Sequence, residues 1–399
     1  MKQKRILLLG GAPTQLPSII KAKEMGLYVI TCDYLPDNPG HKLADEYHNV
    51  STTDKEGVLA LAKTLDLDGV LCYASDPSAP TAAYVAEKLG LPGSPYKSVE
   101  ILTHKDQFRA FLTENGFNCP RARGFATVEE ARADLPNFRL PVMVKPTDSA
   151  GSKGVAKLTS LDQLDELAAN ALSYSREKRF ILEEYVEMDG CQVAGDGFSV
   201  NGELVFRCFM DDHFCSNNTN PYVPVAASCP MNRPPEVHQK IHATIQRALR
   251  LLKMGTQAYN FDIRVDKQGE VWLMEIGPRN GGNMIAQVIQ KATDVDLVEW
   301  MIRAALGEDC SGLRQVDCSG YYAYYALHSH VGGHFAGIIY APGLKSHIDE
   351  EHLAVQEGDD IIPFTGSNGT LGILLLKFDS MTEMFDTIAN IEHFLTIRV

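Results

Sequence analysis

The chain has 399 residues, of which 45% are hydrophobic and 22% are charged, and its formal net charge is −14 at pH 7. That length allows two or three domains, each with its own core, and the composition is ordinary for a globular protein in water. The negative charge, with no basic tract, disfavours sequence-independent nucleic-acid binding. Any site for an anionic ligand must therefore be locally basic.

The cysteine pattern indicates a reducing compartment, and the N-terminal sequence does not resemble a signal peptide. Nine cysteines at irregular spacing, without a Cys-x-x-Cys pair, favour reduced thiols over a disulfide framework or a zinc knuckle. The apolar run near the N-terminus, RILLL, is too short for a signal peptide, and no apolar run approaches the roughly 20 residues that span a bilayer. We therefore expect a cytoplasmic protein without a membrane partner.

The first part of the chain alternates apolar strands with amphipathic helices. Strands are predicted at 5–9, 28–33 and 69–74, and helices at 15–25, 54–65 and 79–89. Short links between them indicate parallel strands covered on both faces, a doubly wound α/β domain. The turn GGAPTQ lacks the G-x-G-x-x-G spacing, which disfavours NAD binding. Asp76, beside Pro77, is first a helix-start signal and only second a substrate contact.

A strand that ends in a lysine and enters a loop of small residues is the most informative stretch. Val142 to Val144 are apolar, Lys145 ends the run, and the loop DSAGSKG follows. Backbone N–H groups of such a loop approach an anion closely, and an adjacent ammonium adds positive charge, the combination that holds phosphates. On this stretch alone, a solvated hairpin with a surface lysine is an equal alternative.

Two later strands also end in charged side chains. FILEEYV carries the adjacent acids Glu183 and Glu184 after its apolar residues, and VWLMEIGPRNGG carries Glu275 and then Arg279. Asp262, in YNFDIRV, lies on the preceding strand of a predicted hairpin, and strand alternation allows it to face the same side as Glu275. Carboxylates are ligands that Mg²⁺ prefers. The pair is therefore a candidate metal site, with cross-strand charge at a sheet edge as the alternative.

The order of these three strands resembles the ATP-grasp superfamily, whose pattern is a lysine-ended strand with a glycine-rich lid loop, an acidic hinge strand and a late Glu-x-Asn-x-Arg motif. The resemblance covers about residues 1–310 and more loosely the remainder, and it is to members such as glycinamide ribonucleotide synthetases, formate-dependent transformylases, biotin carboxylases and L-amino acid ligases. It implies an α/β and α+β multidomain fold. The expected parts are an N-terminal doubly wound parallel α/β domain (1–95), a helical linker (96–119), the small lid subdomain (120–187) and the large subdomain (188–310) of an ATP-grasp fold, and a C-terminal β-rich α+β portion (311–399).

The resemblance also implies roles for individual residues. Lys145 and Arg279 would be catalytic, the first on the phosphates and the second on a carboxylate or acyl phosphate. Asp262 and Glu275 would hold Mg²⁺, or Mn²⁺ in its place. The residues that would bind ATP are Lys105, Lys145, Ser149, Gly151, Ser152, Lys153, Gly154, Glu183, Glu184, Tyr185, Val186, Glu187 and Gln192. In this set the lysines and the loop would meet the phosphates, the hinge 183–186 the adenine, and Gln192 or Glu187 the ribose.

One position departs from the family pattern. The asparagine that would complete the metal shell, two residues after Glu275, is replaced by Gly277. This leaves one ligand unassigned, with Asn280, Asn260 or water as its candidates.

A group of histidines has the residue type of metal ligands. Alternate histidines on a strand, as at His328, His330 and His334, would face one side. Because no acid or cysteine accompanies them at ligand spacing, the sequence favours a surface or pocket role. Cys208 and Cys215, on either side of a His213 loop, are a similarly weak metal candidate.

The activity that the resemblance implies is ATP-dependent carboxylate–amine ligation, with carboxylate–thiol ligation as a variant. A carboxylate is phosphorylated by ATP, the amine attacks the acyl phosphate, and ADP and phosphate leave. The partners would be small-molecule carboxylates and amines, with a homodimer as relatives suggest. The alternatives are an ATP-dependent carboxylase acting through carboxyphosphate and a non-catalytic ATP-binding regulator, which Gly277 keeps open.

Overall fold

The computed structural model describes residues 2–218 and 220–399, where the strands form three larger sheets and two two-stranded ones. The strands are β1 (Arg5–Leu9), β2 (Tyr28–Cys32), β3 (Glu46–His48), β4 (Gly69–Leu71), β5 (Ala122–Phe125), β6 (Val142–Pro146), β7 (Ala156–Leu158), β8 (Phe180–Glu184), β9 (Gln192–Val200), β10 (Glu203–Phe214), β11 (Pro224–Cys229), β12 (Gln257–Val265), β13 (Val271–Gly277), β14 (Tyr321–Leu327), β15 (Gly333–His334), β16 (Gly337–Tyr340), β17 (Ile348–Leu353), β18 (Asp360–Ile361), β19 (Gly372–Phe378) and β20 (Leu395–Arg398).

Helices cover these sheets and connect their strands. They are α1 (Leu16–Glu24), α2 (Lys55–Ala62), α3 (Ala79–Leu89), α4 (Tyr96–Thr103), α5 (Lys105–Glu114), α6 (Val128–Asp134), α7 (Leu164–Tyr174), α8 (Pro235–Leu251), α9 (Ile285–Thr293), α10 (Leu297–Ala305), α11 (Pro342–Lys345) and α12 (Met381–Ala389). Among the residues described, no helix combines the length and the apolar character that crossing a bilayer requires.

The N-terminal sheet is parallel, in the order β3-β2-β1-β4, as the alternation of strands and helices predicts. Ile6 and Leu8 of β1 pack in the core that contains α1, whereas Leu7 and Leu9 pack on the other face against α2 and α3. Both faces are therefore covered, which explains why β1 reads as a continuous apolar run.

The second sheet is antiparallel, in the order β5-β8-β6-β7, and α6 and α7 contribute to its core. In the pairing of β6 with β8, Met143 lies opposite Glu183 and Lys145 lies opposite Ile181. Lys145 and Glu183 are thus diagonal neighbours on one face of the sheet.

The third sheet has eight antiparallel strands, in the order β13-β12-β9-β10-β11-β14-β19-β17. Its β9–β10 hairpin turns at Asn201 and Gly202, with φ values of 52° and 84°, the left-handed geometry that an Asn-Gly pair favours. Since β14, β19 and β17 belong to the same sheet, it runs across the predicted boundary at residue 310. The division into subdomains stays a prediction.

Candidate active site

Three charged side chains meet where α5 contacts the second sheet. The Glu183 carboxylate is only 1% exposed and accepts hydrogen bonds from Lys145 Nζ and from Arg109 Nε, each at 2.6 Å. Burial alone would raise the pKa of Glu183, but Arg109 and Lys145 outweigh it and lower that pKa to about 2. Burial lowers the pKa of Lys145 in spite of its carboxylate partner. Glu183 therefore holds Lys145 in place instead of presenting a free acceptor.

Arg109 connects the second sheet to the third. Its Nη1 and Nη2 donate to the carbonyl oxygens of Leu273 and Met274 on β13, at 3.3 and 2.9 Å. A single guanidinium thus joins β8 to β13, and it fixes the spacing between the strand of Glu183 and the strand of Glu275.

Lys105, the first residue of α5, forms the second contact between the two sheets. Its Nζ lies 3.0 Å from Glu275 Oε2 and donates to the carbonyl oxygen of Ser149 at 3.0 Å. Burial would lower the pKa of Lys105, but the Glu275 carboxylate outweighs it and raises the pKa. The lysine therefore lies between a carboxylate and the start of the small-residue loop.

Asp262 and Glu275 are directly opposed on β12 and β13. Burial, and then the Glu275 charge, raise the pKa of Asp262 to about 7. Burial also raises the pKa of Glu275, but the charges of Lys105 and Arg279 outweigh it and lower that pKa below its ordinary value. A third acid is Asp212 on β10. Burial, and then the charge of Asp262, raise the pKa of Asp212. The directly opposed carboxylates of Asp262 and Glu275 are a donor pair suited to a divalent cation of the magnesium type.

Arg279 is buried and forms an ion pair with Asp76 from the N-terminal domain. Asp76 is 8% exposed, and its Oδ1 and the Nε of Arg279 have no hydrogen-bond partner in the part of the chain that the structure describes. A Cβ atom at Gly277 would lie 2.9 Å from Asp76 Oδ1 and 3.0 Å from Arg279 Cζ. The ion pair therefore occupies the space that a side chain at Gly277 would need.

The two asparagines considered as substitute metal ligands are both hydrogen-bonded to Asp196, on β9. Asn260 Nδ2 donates to Asp196 Oδ1 at 3.0 Å, and Asn280 Nδ2 donates to Asp196 Oδ2 at 3.3 Å. The Oδ1 atom of Asn280 is buried and unpartnered within the described residues. The hydrogen bonds of the Asn260 side chain also use only its Nδ2 within the described residues, so each asparagine keeps one oxygen available as a ligand.

Gly277→Asn is expected to destabilise the protein by about 1–3 kcal/mol, because the new side chain collides with the Asp76–Arg279 pair in a packed interior. Urea unfolding followed by circular dichroism measures the change. Gly343→Asn is the matched control: Gly343 is exposed in α11, the nearest contact of a Cβ there outside the helix is Phe394 Cε1 at 3.9 Å, and the expected change is within about 0.5 kcal/mol. Equal stabilities of the two variants would contradict this account of Gly277.

The small-residue loop after β6 is folded onto distant parts of the chain. Gly151, Ser152 and Gly154 have positive φ values, as a tight loop of small residues requires. Ser152 Oγ donates to the carbonyl oxygen of Tyr222 at 2.9 Å, and Asn220 Nδ2 donates to the carbonyl oxygen of Ser152 at 3.0 Å. Ser149 begins this loop beside Lys105, and Lys153 is half-buried within it.

Two backbone groups of the predicted hinge, Tyr185 N–H and Val186 C=O, form hydrogen bonds within the protein. Tyr185 N donates to the carbonyl oxygen of Pro141 at 3.1 Å, and Val186 accepts from Arg264 Nη1 at 2.6 Å. Arg264 and Lys157 lie over the Tyr185 ring, 4.8 and 4.0 Å from its centroid. The hinge is therefore bordered by two cations that the sequence did not single out.

The remaining predicted nucleotide contacts are hydrogen-bonded within the protein or exposed to solvent. Glu184 accepts from Arg139 N at 2.9 Å, and Gln192 donates to Asp212 at 3.0 Å, whereas Glu187 is exposed. Gln192 Oε1 also accepts from Arg264 Nε at 3.4 Å, so Gln192 lies between Asp212 and the arginine that contacts the hinge.

A cavity of about 500 Å³ adjoins Lys105 and Glu275. It is also lined by Asp76, Ser149, Lys55 and Arg176. The cavity thus extends from the charged centre toward the N-terminal domain, with both charge signs on its walls.

The histidines do not lie on one strand face, so that expectation is wrong. β14 ends at Leu327, and His328 and His330 lie in the following loop. His334 belongs to β15 and pairs with Asp360 at 2.8 Å, far out in solvent with its side chain 79% exposed.

The second sheet and most of the third lie within a region that matches a known family. Residues 119–294 match the family described as D-ala D-ala ligase C-terminus. A formate-dependent phosphoribosylglycinamide formyltransferase from Parasynechococcus marenigrum is 29% identical over 190 residues, 47% of this chain and 49% of that protein. The chain spans about half or less of the length of the curated relatives that it matches.

Solved structures match over the whole chain. The L-amino acid ligase of Bacillus licheniformis aligns with a TM-score of 0.81 at 21% identity, covering 100% of this chain and 99% of that one. The biotin carboxylase domain of 2-oxoglutarate carboxylase from Hydrogenobacter thermophilus, solved with MgADP, aligns with a TM-score of 0.74 at 17% identity, covering 100% and 91%. These likenesses confirm the α/β and α+β fold predicted from the sequence, and the match of residues 119–294 to the D-ala D-ala ligase C-terminus family agrees with the ATP-grasp resemblance over that part of the chain.

Proposed function

We propose that the protein is an ATP-dependent carboxylate–amine ligase that forms an acyl phosphate and then an amide bond. The observation that carries this proposal is the position of Lys105, which contacts both the Glu275 carboxylate and the backbone of the loop that begins at Ser149. An ammonium between a carboxylate centre and a small-residue loop is an arrangement that binds a nucleotide's phosphates beside a metal ion.

The chain's own residues supply alignment and charge. Lys105 and Lys145 would neutralise phosphate oxygens, and the loop 149–154 would place its backbone N–H groups over them. Arg279, held by Asp76, would orient a substrate carboxylate or stabilise the acyl phosphate. Since phosphoryl transfer from ATP requires little covalent help, positioning by these groups accounts for most of the catalysis expected here.

A divalent cation fits the acidic centre of the site. Asp262 and Glu275 are opposed on neighbouring strands, and Asn280 Oδ1 and Asp76 Oδ1 are buried oxygens without a partner in the described chain. Bound there, Mg²⁺ would polarise the phosphates and neutralise charge on them. The MgADP in the H. thermophilus domain supports this reading for a chain with the same fold.

The substrates are proposed to occupy the cavity beside Lys105 and Glu275. Its walls carry cations and carboxylates together, with Lys55 and Arg176 as well as Asp76. Such a lining suits a small molecule with a carboxylate and an amine, the two groups that a ligase joins. The likeness to an L-amino acid ligase makes amino acids the first substrates to test.

Phosphate release from ATP tests the proposal. Purified protein with ATP and Mg²⁺ is incubated with a panel of amino acids, singly and in pairs, and separately with bicarbonate. We expect release only with particular carboxylate and amine combinations, and mass spectrometry should detect an amide product. Release with bicarbonate alone would identify a carboxylase, and ATP binding without release under any condition would identify a regulator.

Lys145→Ala is expected to lower that substrate-dependent release about 100-fold, because one positioned cation is lost from the phosphates. Arg109 remains beside Glu183, so the carboxylate keeps a partner and the fold is retained. Lys63→Ala, at an exposed lysine just after α2, is the matched control and should leave the rate unchanged. Equal rates in both variants would remove Lys145 from the proposed site.

A further inference from the structure

A thiol, an imidazole and a carboxylate from three distant segments of the chain converge outside the proposed active site. Cys215 follows β10, His330 lies in the loop after β14, and Glu392 lies in the short segment before β20. Glu392 Oε1 is 3.2 Å from Cys215 Sγ and 2.9 Å from His330 Nε2, and the three ligand atoms all lie within 4.8 Å of one another.

These distances suit one small cation. Zinc binds sulfur at about 2.3 Å and nitrogen or oxygen at about 2.0–2.2 Å, which places tetrahedral ligand atoms about 3.3–3.7 Å apart. Only movements of a few tenths of an ångström separate the observed contacts with Glu392 from that geometry. Cys215 is half-buried and the other two are exposed, so an ion has a route from solvent.

A second imidazole lies next to the group. The His328 ring is 5.6 Å from the His330 ring, centroid to centroid, and its Nδ1 is 2.7 Å from the carbonyl oxygen of Ala326. A backbone carbonyl on Nδ1 favours the tautomer whose Nε2 lone pair is free, the arrangement in which histidines bind metals. His328 is therefore a candidate for a fourth ligand, with water as its alternative.

We propose that Cys215, His330 and Glu392 form a binding site for a zinc-type divalent transition-metal ion. Thiolate, imidazole and carboxylate together favour zinc over magnesium or calcium, which prefer oxygen ligands. Binding would replace the thiol proton of Cys215, which leaves to solvent as the sulfur–metal bond forms. The ion would join three segments that are far apart in the sequence and tie the C-terminal segment to the third sheet.

Cobalt(II) is the probe, because tetrahedral cobalt absorbs visible light strongly and octahedral cobalt weakly. The tag-free full-length protein is titrated with Co²⁺ at pH 7.5 in a reductant that contains no thiol. We expect one equivalent to bind with a tetrahedral spectrum and one thiolate-to-cobalt band, with displacement by Zn²⁺ and a rise in Tm on loading. Absence of binding, or an octahedral spectrum only, would overturn the proposal.

Variants assign the ligands. Cys215→Ser, His330→Ala and Glu392→Gln should each weaken binding at least about 100-fold, more than the loss of a supporting contact costs. His334→Ala is the matched histidine control, since its ring pairs with Asp360 in solvent. Full-affinity binding in Cys215→Ser or His330→Ala would refute the assignment, and circular dichroism verifies that each variant is folded.

The matched cysteine control distinguishes a competing group. The sulfur atoms of Cys208, Cys229 and Cys318 also lie within 4.8 Å of one another. Cys318→Ser should leave Co²⁺ binding unchanged if the proposed site is correct. Loss of binding in that variant, with retention in Cys215→Ser, would place the metal at the three cysteines and overturn the proposal.

Discussion

Glu275→Gln is expected to lower the ATP-dependent turnover about 1,000-fold while the protein stays folded. Glu275 is opposed to Asp262 and paired with Lys105, so one charge at this position serves both the proposed cation and the proposed phosphate contact. Losing a preorganised charge where charge develops in the reaction reduces rates by about 100- to 1,000-fold. The amide keeps the volume of the side chain, and the effect therefore reports on charge.

Steady-state phosphate release at several Mg²⁺ concentrations measures the effect. The apparent affinity for Mg²⁺ should fall together with kcat, because the proposed metal shell loses a carboxylate. Glu270→Gln, at an exposed acid in the turn of the same hairpin, is the matched control and should retain the rate. A Glu275→Gln variant with normal turnover would remove this residue from the catalytic centre.

Glu183→Gln is expected to destabilise the protein by about 3–5 kcal/mol, since Arg109 and Lys145 would remain buried without a charged partner. Urea unfolding at pH 7 measures this loss. Glu203→Gln is the control, because Glu203 pairs with Arg250 in solvent and such exposed pairs contribute about 0–1 kcal/mol. Similar losses in the two variants would show that the buried arrangement does not stabilise the fold.

The same carboxylate gives a pH dependence with a defined sign. The pKa of Glu183 is lowered to about 2 in the folded protein, against about 4.3 in an unfolded chain. Its contribution to stability is therefore fully present above pH of about 4.3 and is lost as the pH falls toward 2. Between these values, the difference in stability between wild type and Glu183→Gln should shrink as acid is added.

The elements of the fold could be predicted because their signals are local. Lys145 ends a short apolar run, and the Asn201–Gly202 pair fixes a two-residue turn, so each feature is readable within a few residues. Alternation along β12 and β13 also places Asp262 and Glu275 on one side, as the structure has them. The strand β3 was missed because its three half-exposed residues carry no apolar alternation.

The partners of the charged residues could not be predicted, since they come from distant parts of the chain. Arg109 reaches Glu183 across 74 positions, and Asp76 reaches Arg279 across 203. No spacing rule connects such pairs. An arginine on the apolar face of a predicted helix, such as Arg109 in α5, does indicate that a buried partner of opposite charge is needed. For the same reason the sequence gives no hint that Glu392 and Cys215, 177 positions apart, meet at His330.

The loop that begins at Ser149 is hydrogen-bonded to Asn220, Tyr222 and Ser367, in two other stretches of the chain, in addition to Lys105. Its conformation therefore depends partly on segments that lie outside the proposed set of phosphate-binding residues. Natural variation in those segments would alter the stability of the loop without a change in Lys105 or Lys145.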